Sequence, residues 1–142
     1  MINILQRIIL KKNSHIIFES YATRPEQYKL RNYLIKNKEH KCIICNKYYP
    51  LYLLECAHIK PRYIADEKER LDYNIVQWMC RNCHKIYDSG DIGIKNKKIY
   101  KTNNVLHIIS NNYIDSINYN NSIHYFNFHF NNFYLKNISK NQ

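Results

Sequence analysis

Cys80-Arg81-Asn82-Cys83-His84-Lys85-Ile86-Tyr87-Asp88-Ser89-Gly90 decides how the chain is read, together with the upstream stretch Cys42-Ile43-Ile44-Cys45 that answers it. Two residues between cysteines let one tight turn present both sulfurs to a single ion, and a second such pair closes a tetrahedron. Thirty-four residues separate Cys45 from Cys80, so Cys42, Cys45, Cys80 and Cys83 are expected to hold one structural zinc. Cys56 has no partner and sits in the apolar run Leu51 to Ala57, where it reads as a small buried strand residue. Two rival readings stand behind the zinc one. Cys80-Arg81-Asn82-Cys83-His84 is also a covalent haem-attachment pattern, but that chemistry normally belongs outside the cytoplasm and leaves Cys42 and Cys45 without a purpose. An iron–sulfur cluster leaves the adjacent histidines unexplained.

Working outward, Thr23-Arg24-Pro25-Glu26 is read as a capping box with an early proline. It opens a helix with Leu30, Tyr33 and Leu34 on one face, ending near Lys38. Leu51 to His58 is expected to be a strand, stopped by Pro61, and a charged loop follows through Asp72. Ile75 to Met79 is a second short strand and Arg81 to Asp88 a helix, closed by Ser89-Gly90. The order is strand, loop, strand, helix. Asp91 to Ile109 is expected to form a hairpin around Asn96-Lys97-Lys98. The asparagine- and tyrosine-rich tail is read as a helix with Ile123, Phe126, Phe130 and Phe133 on one face. Those aromatics are assigned to core, because rings at structural periods usually are, and the tail is given no chemistry.

Composition sets the outer limits. At 142 residues the chain is one domain with a single compact site. Its two glycines, Gly90 and Gly93, cannot build a dinucleotide-binding turn or a Walker loop. With 45% hydrophobic and 14% aromatic residues it is globular, and no apolar run approaches the roughly 20 residues that span a bilayer. Lys and Arg number 22 against 11 Asp and Glu, a net charge of +11, and beyond Asp91 the only acid is Asp115. That excess favours a polyanion. Nucleic acid is preferred to a membrane surface because no amphipathic helix combines a basic face with a continuous apolar one. Ile2 to Leu10 is broken by Gln6 and Arg7 and has no small-residue cleavage site, so the protein is expected to be intracellular and not secreted.

Glu55-Cys56-Ala57-His58-Ile59-Lys60-Pro61, then Asn74-Ile75-Val76, then Met79 to Gly90 resembles the His-Asn-His (HNH) endonuclease motif in a zinc-stapled ββα-metal finger. The resemblance runs from about Arg24 through Ile94, and the helix ahead of the first cysteine pair is similar to that of HNH proteins of the restriction-enzyme type. It implies an α+β fold: a ββα-metal finger, structural zinc knuckles and flanking helices. The expected division is an N-terminal extension over 1–22, the nuclease domain over 23–95, and a C-terminal extension over 96–142 packed on the same domain.

Hydrolysing a phosphodiester needs a base to activate water and a cation to stabilise the phosphorane and the leaving 3′-oxygen. Histidine suits the first task because it titrates near neutrality. The resemblance implies that His58 is the general base, that Asn74 braces the loop or orients that base, and that His84 binds the catalytic Mg²⁺ or Mn²⁺. Ala57 departs from the pattern, since many family members carry an Asp or His there that contributes to the metal. His84 and Asp88, four apart on a helix, lie on one face and make a chelating pair. Glu55 can reach the site, but an ion pair with a nearby arginine is the expected role. His15, His40, His107, His124 and His129 have no such frame and are left as surface or core residues.

The expected activity is metal-dependent DNA cleavage leaving a 5′-phosphate and 3′-hydroxyl. One finger cuts one strand, so double-strand cleavage needs two copies, in a homodimer, or two events. The alternatives are a zinc-stabilised nucleic-acid-binding module without catalysis, for which Ala57 is the warning sign, and a zinc-linked protein-interaction domain with an incidental basic surface.

Overall fold

The structure, a computed structural model, describes residues 24–142. The expected extension over 1–22, with Ile2 to Leu10 and His15, and the Thr23 of the expected capping box lie outside the described residues. What is described is a small α+β domain with two two-stranded antiparallel sheets.

Helix α1 spans Pro25–Asn37, its proline in the first turn where a missing N–H costs nothing, and buries Leu30 and Leu34. Among the described residues no side chain caps its start. Glu26 is instead turned into the protein, where it accepts a hydrogen bond from Arg62 Nε, which corrects the capping-box reading. A buried carboxylate gains more from a guanidinium than from one exposed N–H. A capping box is found instead at Asp66, whose side chain accepts from Glu69 N–H while Glu69 accepts from Asp66 N–H. It opens the one-turn helix α2, Glu67–Leu71.

Strand β1 runs Leu54–His58, later than expected, because Leu51–Leu53 forms a tight 3-10 turn. Arg31 of α1 holds that turn by donating to the carbonyls of Leu51 at 3.2 Å and Leu54 at 3.1 Å, with its guanidinium 5.0 Å from the centre of the Trp78 ring. β1 pairs with β2, Val76–Cys80, in a register that sets Cys56 opposite Trp78 and His58 opposite Val76. Every residue of β2 is buried, since α1 and the helix that follows, α3 (Arg81–Ser89), both pack against the pair. Gly90 ends α3 at φ 81°, a conformation that strains any residue with a Cβ, and an added Cβ would meet the carbonyl oxygen of Phe133 at 2.9 Å.

Strands β3 (Ile92–Lys95) and β4 (Lys98–Lys101) form the expected hairpin. Its two central residues, Asn96 and Lys97, both have positive φ, at 50° and 66°, as a turn matched to the strand twist requires. The division expected between residues 95 and 96 therefore falls inside this turn.

The tail is helical, in pieces: α4 (Ser116–Asn121), α5 (Ile123–His129), a wider π turn (Phe130–Tyr134) and α6 (Leu135–Lys140). Phe126 and Phe130 are buried as expected, but Ile123 is exposed and Tyr125, His129 and Tyr134 take the remaining inward positions. The π turn seats Phe130 and Tyr134 over β3 so closely that a Cβ on Gly93 would lie 2.6 Å from Tyr134. Among the described residues, no helix is long and apolar enough to cross a membrane.

Candidate functional site

The first cysteine pair sits in a turn made possible by Asn46, at φ 61°. That turn is tied to β2 by a hydrogen bond from Ile43 N–H to Trp78 O at 2.9 Å. The second pair spans the end of β2 and the first turn of α3. Together they bring the sulfurs of Cys42, Cys45, Cys80 and Cys83 within 4.8 Å of one another. Tetrahedral zinc with Zn–S bonds of about 2.3 Å places its sulfurs ~3.8 Å apart, so the four thiols fit such an ion with small adjustments. Four thiols this close cannot all ionise unaided. Hydrogen bonds among the four thiols split them, holding Cys45 and Cys80 low and pushing Cys42 and Cys83 up. A divalent cation is what lets all four serve as thiolates. Cys56 takes no part: burial pushes its thiol up to about 12, which makes it inert.

A separate cavity of about 870 Å³ opens beside β1 and α3. His58 at the end of β1, His84 and Asp88 on α3, and Glu55 on β1 all line it. His84 Nδ1 lies 3.1 Å from Glu55 Oε1 and its Nε2 lies 3.3 Å from Asp88 Oδ2. The expected pairing of Glu55 with an arginine is thereby corrected. Arg31, which lines the same cavity, is already committed to backbone carbonyls, and Arg62 to Glu26. Both carboxylates can only accept, and a neutral imidazole has a single N–H, so one of the two contacts must be made through a second proton or a cation. Burial raises the pKa of Asp88, and Glu55 adds to this, while His84 and Lys85 oppose it. Among the described residues the four cysteines are the only group in which three or more such ligand atoms converge; Glu55 and Asp88 approach His84 on different ring nitrogens.

His58 is largely buried, and its Nε2 has no hydrogen-bond partner. Burial, assisted by Arg62, Arg24 and His84 and opposed by Glu26, lowers its pKa to about 4, so at neutral pH the ring carries no charge. Asn74 is held by its backbone: its N–H donates to Asp72 Oδ1 at 2.9 Å and its carbonyl accepts from Ser122 Oγ at 2.6 Å. It is not among the residues lining the cavity; the expectation had it either brace the loop or orient the base through its amide. Ala57 is fully buried and does not line this cavity.

Sequence reading missed the part the tail plays. His129 and Phe133 form part of the cavity wall. His129 stacks on Tyr87 at 3.6 Å and donates from Nε2 to the Tyr87 carbonyl at 2.8 Å, leaving Nδ1 buried without a partner. Tyr87 in turn donates its hydroxyl to Ile59 O at 3.0 Å, so the tail, α3 and the backbone next to His58 are joined in one chain of contacts. No local pattern in the tail signals this. Neither a scan against models of protein families nor a search of curated proteins finds a match to this chain.

Proposed function

We propose that the protein is a metal-dependent DNA endonuclease of the HNH type, with β1, β2 and α3 as a ββα-metal finger stapled by zinc on the four cysteines. The observation that carries this reading is the meeting of His58 with His84 and its two carboxylates in one cavity. Neutral His58 is in the form that takes a proton from water, and a phosphate brought beside it strengthens its hold on that proton. His84 and Asp88 would hold Mg²⁺ or Mn²⁺, with Glu55 orienting the ring from its other nitrogen. That ion supplies charge stabilisation for the phosphorane and the leaving 3′-oxygen. Arg24 and Arg81, both exposed on the cavity rim, are placed to grip flanking phosphates. One such site cuts one strand, so double-strand cleavage calls for two copies of the chain or two events.

A second reading, a zinc-stabilised nucleic-acid-binding module without catalysis, is favoured by one observation: position 57 offers no ligand, and Glu55 and Asp88 do not converge with His84 on one point. Incubation with supercoiled DNA and Mg²⁺ or Mn²⁺ separates the two. Nicking that disappears in His58→Ala, with DNA affinity and zinc content unchanged, supports the nuclease. A loss of about 10²–10⁴-fold is expected for a positioned base. Tight, salt-sensitive DNA binding with no cleavage under either metal supports the module instead.

A further inference from the structure

Two classes of side chain on the cavity rim are uncommitted to the fold. Tyr52 is 80% exposed and Tyr63 75% exposed, the two highest values among the large hydrophobic side chains of the described residues, and both line the cavity. Neither ring has a hydrogen bond or a ring contact among the described residues, whereas Tyr33 stacks on Tyr73 and the Tyr48 hydroxyl donates to Glu39. The guanidiniums of Arg24 and Arg81 likewise have no ion-pair or hydrogen-bond partner among the described residues. Tyr52 stands in the turn before β1 and Tyr63 in the loop beyond its end, with His58 between them in sequence. β1 itself, five residues at about 3.3 Å each, is on the order of 15 Å long, the length of a few nucleotides.

Free cations answer phosphates, and free flat rings answer flat rings. A base-paired duplex hides the faces of its bases, while an unpaired strand presents them. We propose that this cavity binds a single DNA strand with unstacked bases, Tyr52 and Tyr63 stacking on nucleobases on either side of the phosphate that faces His58, and Arg24 and Arg81 taking neighbouring phosphates. The inference rests on the nucleic-acid part of the proposed function and deepens it, naming unpaired DNA as the substrate class.

The test is fluorescence anisotropy of the full chain with a short labelled oligonucleotide, single-stranded and as the matching duplex, with no divalent cation added. The single strand is expected to bind more tightly. Tyr52→Ala and Tyr63→Ala should each weaken it by about 5- to 150-fold, and Tyr→Phe at either position should restore it, because the ring and not the hydroxyl makes the contact. Zinc content and melting of the variants, altered only at exposed rings, report on their folding. Equal affinity for duplex, unchanged affinity in the Ala variants, or Phe variants as weak as Ala would each overturn the proposal. Cleavage of the single-stranded oligonucleotide and nicking of plasmid are scored separately with Mg²⁺. Strand binding with neither DNA cut sinks only the nuclease reading, and cleavage without strand preference in binding sinks only this one.

Discussion

Acid should unfold this protein partly through a histidine in its C-terminal tail. His129 is 1% exposed, clamped between Tyr87 and Phe133, and its pKa falls from 6.5 to about 4 because burial disfavours the charged ring. A base whose folded pKa is depressed is protonated more readily in the unfolded chain. Its contribution to stability is therefore intact above pH 6.5 and lost as the pH falls toward 4. At 1.36 kcal/mol per unit the full loss is about 3 kcal/mol, of which about 2 kcal/mol is lost between pH 7 and pH 5. His58 is lowered to about 4 with the same sign, so the two together should cost about 4 kcal/mol over that interval. The assay is urea unfolding of zinc-loaded protein at both pH values, for wild type and His129→Gln. Glutamine does not titrate, and its side-chain N–H can still reach the Tyr87 carbonyl. The variant should be weaker at pH 7 because the stack is lost, yet lose about 2 kcal/mol less than wild type on going to pH 5. Carboxylates, His58 and the zinc ligands contribute to both proteins and cancel in that difference. Equal losses would show that His129 is not held neutral, and the clamp between tail and α3 would have to be abandoned.

Other expectations are simpler to check. Cys83→Ser should abolish stoichiometric zinc by metal analysis and lower the melting temperature, since metal binding is part of the folding free energy of so small a unit; full zinc and an unchanged melt refute the four-cysteine site. Asp88→Asn should raise the Mg²⁺ concentration for half-maximal cleavage more than it lowers the rate at saturation, and an unchanged titration reduces Asp88 to a helix-end residue. Gly93→Ala brings a Cβ within 2.6 Å of Tyr134, so it should cost about 1–3 kcal/mol in urea unfolding by forcing the tail off β3. No loss of stability there would mean that the tail does not seat on the hairpin.

What the sequence determined by itself was local. The four zinc candidates could be read from spacing alone, because a two-residue gap sets how far apart two sulfurs on one turn can lie, and the structure brings all four together. The two strands, the helix after them and the stop at Gly90 were equally legible, since hydrophobic runs and a residue tolerant of positive φ act within a few positions of themselves, but the stretch expected as a charged loop through Asp72 folds into the short helix α2. Even here Glu26 misled, because a capping motif describes a neighbourhood and a half-buried arginine 36 residues away outweighed it. Tertiary structure alone decided the cavity. Glu55 faces His84 across 29 residues, and which partner a carboxylate finds at that distance depends on how loops close and which guanidiniums are already occupied. His129 reaches Tyr87 across 42 residues, and it does so because a tail without any readable motif packs its aromatic face onto the helix that carries His84. Periodicity shows that a ring will be buried; only packing shows what it is buried against.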